Sequence, residues 1–391
     1  MLRLLIENSL DREVHTMTEW KNYTLSEMVT IKYGKNQKKV ASENGTFPIY
    51  GTGGLMGYAT EALYSQPSVL IGRKGTIGKV KYVDHPFWTV DTLFYTVVNS
   101  DIVIPKFLFY VMSLIDLNNY NEGTTIPSLR TETLNRLEFR IPSLDTQKEI
   151  LSYLNPIDDK IMENEKINNN LEQQAVALFD NAIQNAESVS YAELSTLADV
   201  KGGKRLPKGV NLITIPNSHP YIRVRDLNST VFASLSPEYE YVDDETQKTI
   251  SRYVVSQGDV LISIVGTIGL TAIVDSTLNN ANLTENCVKL TNLKTITPEY
   301  LLLYLRSSKG AEAISKGTVG AVQLKLPIKN IQSILVPLLD ELELQSLNDI
   351  LSAIFSQISA NIVENRKLAD MRDALLPKLM SGELDVSDIE I

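Results

Sequence analysis

The residues able to do acid–base or nucleophilic chemistry are few and scattered. The 391-residue chain holds three histidines, His15, His85 and His219, at no helical or metal-ligand spacing. Its single cysteine, Cys287, excludes an internal disulfide and a cysteine-rich zinc site. No Gly-x-x-x-x-Gly-Lys-Ser/Thr phosphate loop occurs. The run GTGGLMG, Gly51 to Gly57, is glycine-rich but precedes no clear helix, which weakens a dinucleotide reading. Asn-Pro-Ile-Asp at Asn155 opens like an adenine-methylation motif. It lacks the aromatic residue that stacks a flipped base, and it lies in a helical heptad run. Carboxylates are densest on the same helical stretches, as solvated faces. The chain reads as non-catalytic.

What remains is cationic. The first half carries Lys32, Lys35, Lys38 and Lys39, then Arg73, Lys74, Lys79 and Lys81. The second carries Lys201, Lys204, Arg205 and Lys208 in KGGKRLPKG, then Arg223 and Arg225 in YIRVRDL. Such residues among turn glycines suit phosphate contacts, and arginine also reads a guanine edge with two hydrogen bonds. Glycine lets backbone amides approach an anion. The net charge of −10 masks this pattern. Residues 17–144 hold 13 basic against 11 acidic residues, and 191–337 hold 15 against 13. Residues 145–190 hold 3 against 9, and 338–391 hold 4 against 11. Two mildly basic blocks thus alternate with two acidic ones, and double-stranded DNA is the partner that the basic clusters fit.

The elements that position these clusters occur twice. Gly-Thr-Ile-Gly at Gly75 answers Gly-Thr-Ile-Gly at Gly266, which makes Thr76 and Thr267 equivalent. LSEM at Leu25 answers LSTL at Leu194, PKFLFYVM at Pro105 answers PEYLLLYL at Pro298, and RIPSLDTQ around Pro142 answers LVPLLDEL around Pro337. Each copy opens with short β-branched and aromatic runs. These are TFPIYG, SVLIG, VKYV and FYTVV in one, and PYIRVR, YVVS, VLISIV and TAIV in the other. A helix opened by Pro105 or Pro298 follows, and each copy ends in a long helix.

The long helices carry a heptad seam. In the first, Ile150, Leu154, Ile157, Ile161, Asn164, Asn168, Leu171, Ala175 and Leu178 alternate spacings of four and three. In the second, Leu347, Leu351, Ile354, Ile358, Asn361, Asn365 and Leu368 do the same. Sustained heptads predict a coiled coil, and asparagines on the seam fix its register. An antiparallel pair lets each globular unit dock alike on its own helix. Two independent amphipathic helices are the alternative. The predicted fold class is α+β, with two strand-rich domains in tandem, separated by two long helices forming an antiparallel coiled coil. The segments are 1–16, an N-terminal extension unlike the rest; 17–144, the first domain; 145–190, the first helix; 191–337, the second domain; and 338–391, the second helix and tail. No apolar run reaches the roughly 18 residues of a membrane span. The first residues lack the apolar core and cleavage site of a signal peptide.

With these residues in view, the chain resembles the DNA-specificity subunits of type I restriction-modification systems over about residues 18–385. The resemblance rests on YGK at Tyr33, FPIYGTGGLMGY, IGRKGTIGKV with PFWTVDTLFY, KGGKRLPKG, HPYIRVRDL, GDVLIS with GTIG, and RDALLPKLMSGEL from Arg372. It implies two target-recognition domains, each reading half of a bipartite, asymmetric DNA site, with the helices as ruler for the unread spacer. It implies catalysis in other chains. Two modification subunits methylate adenine N6 with S-adenosylmethionine, and two restriction subunits cut DNA with ATP and magnesium. This chain then needs no cofactor or metal and works in the cytoplasm of a bacterium or archaeon. The candidate DNA-binding residues are Lys35, Lys38, Lys39, Arg73, Lys74, Thr76, Lys79, Lys204, Arg205, Lys208, Arg223, Arg225 and Thr267. The resemblance places the modification-subunit interface at the helix ends, here Leu375, Leu376, Pro377, Leu379 and Met380. A coiled-coil scaffold that binds proteins and not DNA is the competing reading.

Overall fold

The structure is a computed structural model that describes residues 20–227 and 230–384. The extension 1–16, with His15, and the tail from 385 lie outside the described residues. The chain packs as two compact units. One takes the described residues up to Ile161 and from Arg366 onward; the other is Met162–Asn365. The division runs through both long helices, so each unit owns part of each.

In the first unit the strands are β1 (Lys21–Thr24), β2 (Val29–Tyr33), β3 (Phe47–Gly51), β4 (Gly54–Ala59), β5 (Ser68–Gly72), β6 (Val80–Val83), β7 (Trp88–Thr89), β8 (Leu93–Val98) and β9 (Glu138–Ile141). β2-β8-β5-β6 form an antiparallel sheet, and β4-β3-β7 form a second. All of SVLIG in β5 is buried, which explains its unbroken apolar run in place of alternation. β1 pairs with β9, closing the start of the domain onto its end.

The second unit holds β10 (Ser190–Glu193), β11 (Asp199–Gly202), β12 (Tyr221–Ile222), β13 (Phe232–Ala233), β14 (Val260–Ser263), β15 (Thr271–Val274), β16 (Asn282–Leu283), β17 (Cys287–Thr291) and β18 (Leu335–Leu338). Its sheet β11-β17-β14-β15 repeats the first unit's order, with β13 added at the edge. β10 pairs with β18 as β1 does with β9. The backbone bond from Leu25 N–H to Leu137 C=O recurs from Leu194 to Ile334, both at 2.8 Å. The helices Pro105–Ser113 and Pro298–Arg306 both carry proline in their first turn.

Two expected strands fall away. In PYIRVR only Tyr221–Ile222 is extended, because the Asp226 carboxylate accepts from the Arg223 amide at 2.7 Å and turns the chain into a 3₁₀ helix. YVVS is no strand; its tyrosine ends a 3₁₀ turn and Val254 makes an isolated bridge to Asn282.

The long helices run Leu144–Asn185 and Glu341–Ser381. Within the second unit the Asn164 amide donates to the Asn365 carbonyl at 2.8 Å and to Glu364 at 2.7 Å, and Asn361 donates to Asn168 at 2.8 Å. One partner's number falls as the other's rises, so the helices are antiparallel. Within the first unit, Arg372 reaches back to Asp158 at 2.9 Å in the same sense. Ile150, Leu154, Asn164, Leu347, Leu351, Ile358 and Asn361 are buried; Ile157, Ile161, Asn168, Leu171, Ile354, Asn365 and Leu368 are half-buried. The expected seam errs at Leu178, which is exposed, whereas Phe179 is buried. An α-helix turns every 3.6 residues, and its inward face drifts off a 3.5-residue repeat where the helix packs on a globular core.

Leu376, Leu379 and Met380 are corrected too. They complete the first unit's core beside Leu25, Phe107, Ile150 and Leu154, with Leu375 packed against it. Of the five expected interface residues only Pro377 is exposed. Their apolar cluster is spent on the core of their own chain.

Candidate nucleic-acid interface

In each unit most of the candidate residues lie on loops that leave one end of the repeated sheet. In the first, the pairs Tyr33–Phe94, Gly72–Leu93 and Ile71–Val80 place the ends of β2 and β5 beside the starts of β6 and β8. In the second, Gly202–Val288, Ser263–Cys287 and Ile262–Thr271 do the same. Loops leaving this end carry the cations.

The two Gly-Thr-Ile-Gly turns belong to the scaffold. Gly75 and Gly266 sit at φ +86° and +82°, a region that favours glycine. Before the first turn, Gly72 leaves room for the Thr76 carbonyl, which an added Cβ would approach to 2.2 Å. Before the second, Ser263 uses its hydroxyl instead, donating to the Thr267 carbonyl at 2.6 Å and accepting from Leu270 N–H at 2.9 Å. The Thr76 and Thr267 residues are exposed, while their carbonyls face into the turn.

A second equivalence joins Gly34-Lys35 to Gly203-Lys204. Both glycines take carbonyl contacts that a Cβ would bring to 2.0 Å, from Val90 and from Thr284. Both lysine amides donate at 2.8 Å, to Thr89 and to Leu283. Both lysine carbonyls accept from an aromatic side chain at 2.8 Å, the Trp88 indole and the Tyr221 hydroxyl. Each loop therefore starts from a pinned backbone with an exposed lysine side chain. In the second unit the Lys204 ammonium also lies 5.4 Å from the Tyr253 ring centre. Trp88 and Tyr221 escape motif reading, because they act from distant strands; their only sequence signal is the shared Gly-Lys pair.

The remaining candidates differ in exposure and in the partners described for them. Arg73 is half-buried and held on two sides. Its guanidinium lies 5.1 Å from the Tyr33 ring centre, and its Nη1 donates to the Asp91 carbonyl at 2.8 Å. Tyr33 is in turn set edge-on against Phe94. Lys74, Lys79, Lys38, Lys39 and Lys208 are exposed. Lys81 is less available than its type suggests, since its ammonium sits 4.3 Å from the Tyr50 ring centre and burial lowers its pKa. Arg205 is exposed and paired with Glu285 at 2.7 Å.

Arg223 and Arg225 depart from expectation. Arg223 is half-buried against Glu240, and Arg225 donates to the same carboxylate at 2.9 Å and to the Glu238 carbonyl at 3.3 Å. Asp226 completes the cluster, with its carboxyl pushed up to about 6 by burial, against the pull of Arg225. Both arginines are ion-paired to Glu240 inside the second unit, although the buried Nε of Arg223 has no hydrogen-bond partner among the described residues, and phosphate contact would compete with those pairs. They buttress the chain turn after β12.

The structure also brings in two turns that the candidate set omits, at 122–128 and 319–325. In the first, Glu122 N–H donates to Ser128 C=O at 2.9 Å, Lys74 bridges Ser128, and Leu129 N–H donates to Arg73 C=O at 3.0 Å. In the second, Val319 donates to Lys325 at 2.8 Å, Val265 bridges Lys325, and Leu326 donates to Ile264 at 3.0 Å. The same hairpin is thus bound to the strand end before each Gly-Thr-Ile-Gly turn.

Among the described residues no cluster of histidine, cysteine and carboxylate side chains could hold a metal ion. Among the same residues no helix is long and apolar enough to cross a membrane.

Comparison with known proteins agrees with this geometry. Residues 17–173 and 187–367 match the family described as type I restriction modification DNA specificity domain. The chain is 21% identical over 392 residues to the type I restriction enzyme HindI specificity subunit of Haemophilus influenzae, across 78% of this chain and 84% of that protein. It is 23% identical over 354 residues to the MjaIX specificity subunit of Methanocaldococcus jannaschii, across 84% and 80%. The crystal structure of a type I restriction-modification S subunit from M. genitalium shares the fold, with TM-score 0.56 and 17% identity over 94% of this chain and 97% of that one.

Proposed function

The chain belongs to the type I restriction-modification DNA specificity family, and from that membership we propose how its parts divide the work. Each unit reads one half of a split, asymmetric double-stranded DNA site, and the paired helices fix the spacer between the halves. The chain itself is non-catalytic. Adenine-N6 methylation with S-adenosylmethionine, and cleavage with ATP and magnesium, belong to two modification and two restriction subunits in the same cytoplasmic complex.

The observation that carries this reading is the repeated sheet end. Two copies of one scaffold present loops of different sequence and charge from equivalent anchors, Gly34-Lys35 and Gly203-Lys204. Lysines there supply phosphate affinity, and Arg73, oriented by Tyr33, supplies a planar donor for a base edge. Helices of 42 and 41 residues, about 60 Å each at 1.5 Å per residue, are long enough for a ruler. Joining two weak readers rigidly raises affinity through effective concentration and enforces one half-site separation. Modification subunits find apolar surface on the helices themselves, where Met162, Ile167, Val176, Ile350 and Val363 are exposed.

The test is a footprint of the full chain assembled with its modification subunits. The reading expects two protected blocks flanking an unprotected spacer, with affinity falling steeply as salt rises. One continuous block, or binding indifferent to salt, contradicts it.

A further inference from the structure

We propose that the two hairpin turns beside the Gly-Thr-Ile-Gly turns are base-reading tips, with Thr125 and Ile126 reading the first half-site and Val322 and Gln323 the second. This rests on the DNA-specificity reading above and goes beyond it by assigning specificity to residues outside the basic loops.

The first support is rigidity. A Cβ on Gly123 would lie 1.9 Å from the Ile126 carbonyl, and one on Gly320 would lie 2.3 Å from the Gln323 carbonyl. Gly320 is also held at φ +116°. Each tip is therefore folded back on its own glycine, and its stem is bound by the backbone hydrogen bonds already described. In the first turn Asn121 adds side-chain bonds to the Gly123 and Ser128 amides at 2.8 and 2.9 Å. A preformed turn loses little entropy on entering a groove.

The second support is what the tips display. Ile126 is 60% exposed and Val322 is 102% exposed. Rigid apolar side chains held out into water, with an exposed lysine at the base of each turn, suit a partner that is anionic outside and apolar within. Lys74 supplies that cation in the first unit from one side of the bridge to Ser128. Lys325 supplies it in the second from the other side of the bridge to Val265. Duplex DNA has this layout, with phosphates flanking a groove that displays thymine methyl groups.

The third support is divergence at a fixed address. The equivalent tips read Thr-Thr-Ile and Ala-Val-Gln. Ile126 and Val322 match a thymine methyl, Thr125 offers a hydroxyl, and the Gln323 amide matches the N6 donor and N7 acceptor of adenine.

The experiment uses the full chain with its modification subunits, as wild type, Gln323→Ala, Val322→Ser and Ile126→Ala, with methylation mapping and competition binding against single-base site variants. Gln323→Ala is expected to lower discrimination at one position of the second half-site by about tenfold to a hundredfold, with the first half-site unchanged. Ile126→Ala is expected to act on the first half-site alone. All three sites are exposed, so melting temperatures stay at the wild-type value. Unchanged discrimination in every variant overturns the proposal while wild-type DNA binding stands. Loss of modification-subunit assembly with DNA recognition intact also overturns it and makes the tips a protein contact. Absence of salt-dependent binding by the wild-type complex overturns the specificity reading itself.

Discussion

Asp158→Ala is expected to destabilise the first unit selectively. The Asp158 carboxylate is only 14% exposed and receives three donors: the Tyr110 hydroxyl at 2.5 Å, the Lys106 ammonium at 2.9 Å and Arg372 at 2.9 Å. Burial alone would raise its pKa, but these hydrogen bonds outweigh burial and hold it below the usual carboxylate range. Lys106 and Tyr110 share one face of the helix Pro105–Ser113, Asp158 lies on the first long helix and Arg372 on the second. One carboxylate thus ties the recognition domain to both helices. Its removal leaves the Lys106 ammonium without its carboxylate in a poorly solvated site, while Arg372 keeps Asp373 at 2.8 Å, a loss of about 3–5 kcal/mol for a broken buried pair. For a unit of this size that lowers the melting temperature by about 6–20 °C.

The second unit supplies the control. By the repeat register, Asp158, Tyr110 and Arg372 correspond to Phe355, Leu303 and Ala175, all buried in its core. The combined change Asp158→Phe, Tyr110→Leu, Arg372→Ala, with Lys106→Met so that no cation is left behind, is therefore expected to recover at least half of the lost stability. Scanning calorimetry of the full chain should show only the first unit's transition moving. Because the folded-state pKa is lowered, the wild-type advantage is complete above about pH 4 and is lost as pH falls through the folded value. A change under about 1 kcal/mol in Asp158→Ala, or no recovery in the combined variant, means that this carboxylate does not hold the unit together.

Other perturbations separate reading from support. Tyr33→Ala removes the ring that orients Arg73 and should weaken discrimination in the first half-site about tenfold in competition binding, leaving the second half-site as it was. Asp226→Asn should stabilise the second unit at pH 7 by about 1–3 kcal/mol in denaturant titration. Since the Asp226 pKa is raised to about 6, the wild type loses stability as pH rises from about 4 to 6, and the variant should lack that slope. Replacing Asn164 and Asn365 together by leucine should raise the helix-pair melting temperature while broadening the accepted spacer, scored on a library of spacer lengths.

The duplication, the proline-opened helices and the antiparallel pair were legible because each rests on local pattern: a repeated tetrapeptide, a proline, a heptad. What was not legible depends on distant partners. Arg223 and Arg225 look like free cations until Glu240 folds onto them. The lysine loops read only as cations among turn glycines until Trp88 and Tyr221 bind the backbone of Lys35 and Lys204. Leu376, Leu379 and Met380 form an apolar run that suits a docking surface equally well until the core of the same chain claims it. Phe179 replaces Leu178 because helical geometry, not the heptad, governs where the helix meets a globular core. The turns at 122–128 and 319–325 share no legible motif, because their kinship lies in backbone bonds and two glycines, while their tip residues differ.

In the proposed function two unlike units read two halves of one site. Methylation mapping of genomic DNA from cells carrying this chain and its partner subunits is the decisive measurement. A single asymmetric, bipartite motif is expected, with one fixed spacer and a methylated adenine in each half. A continuous or palindromic motif, or methylation independent of this chain, contradicts it.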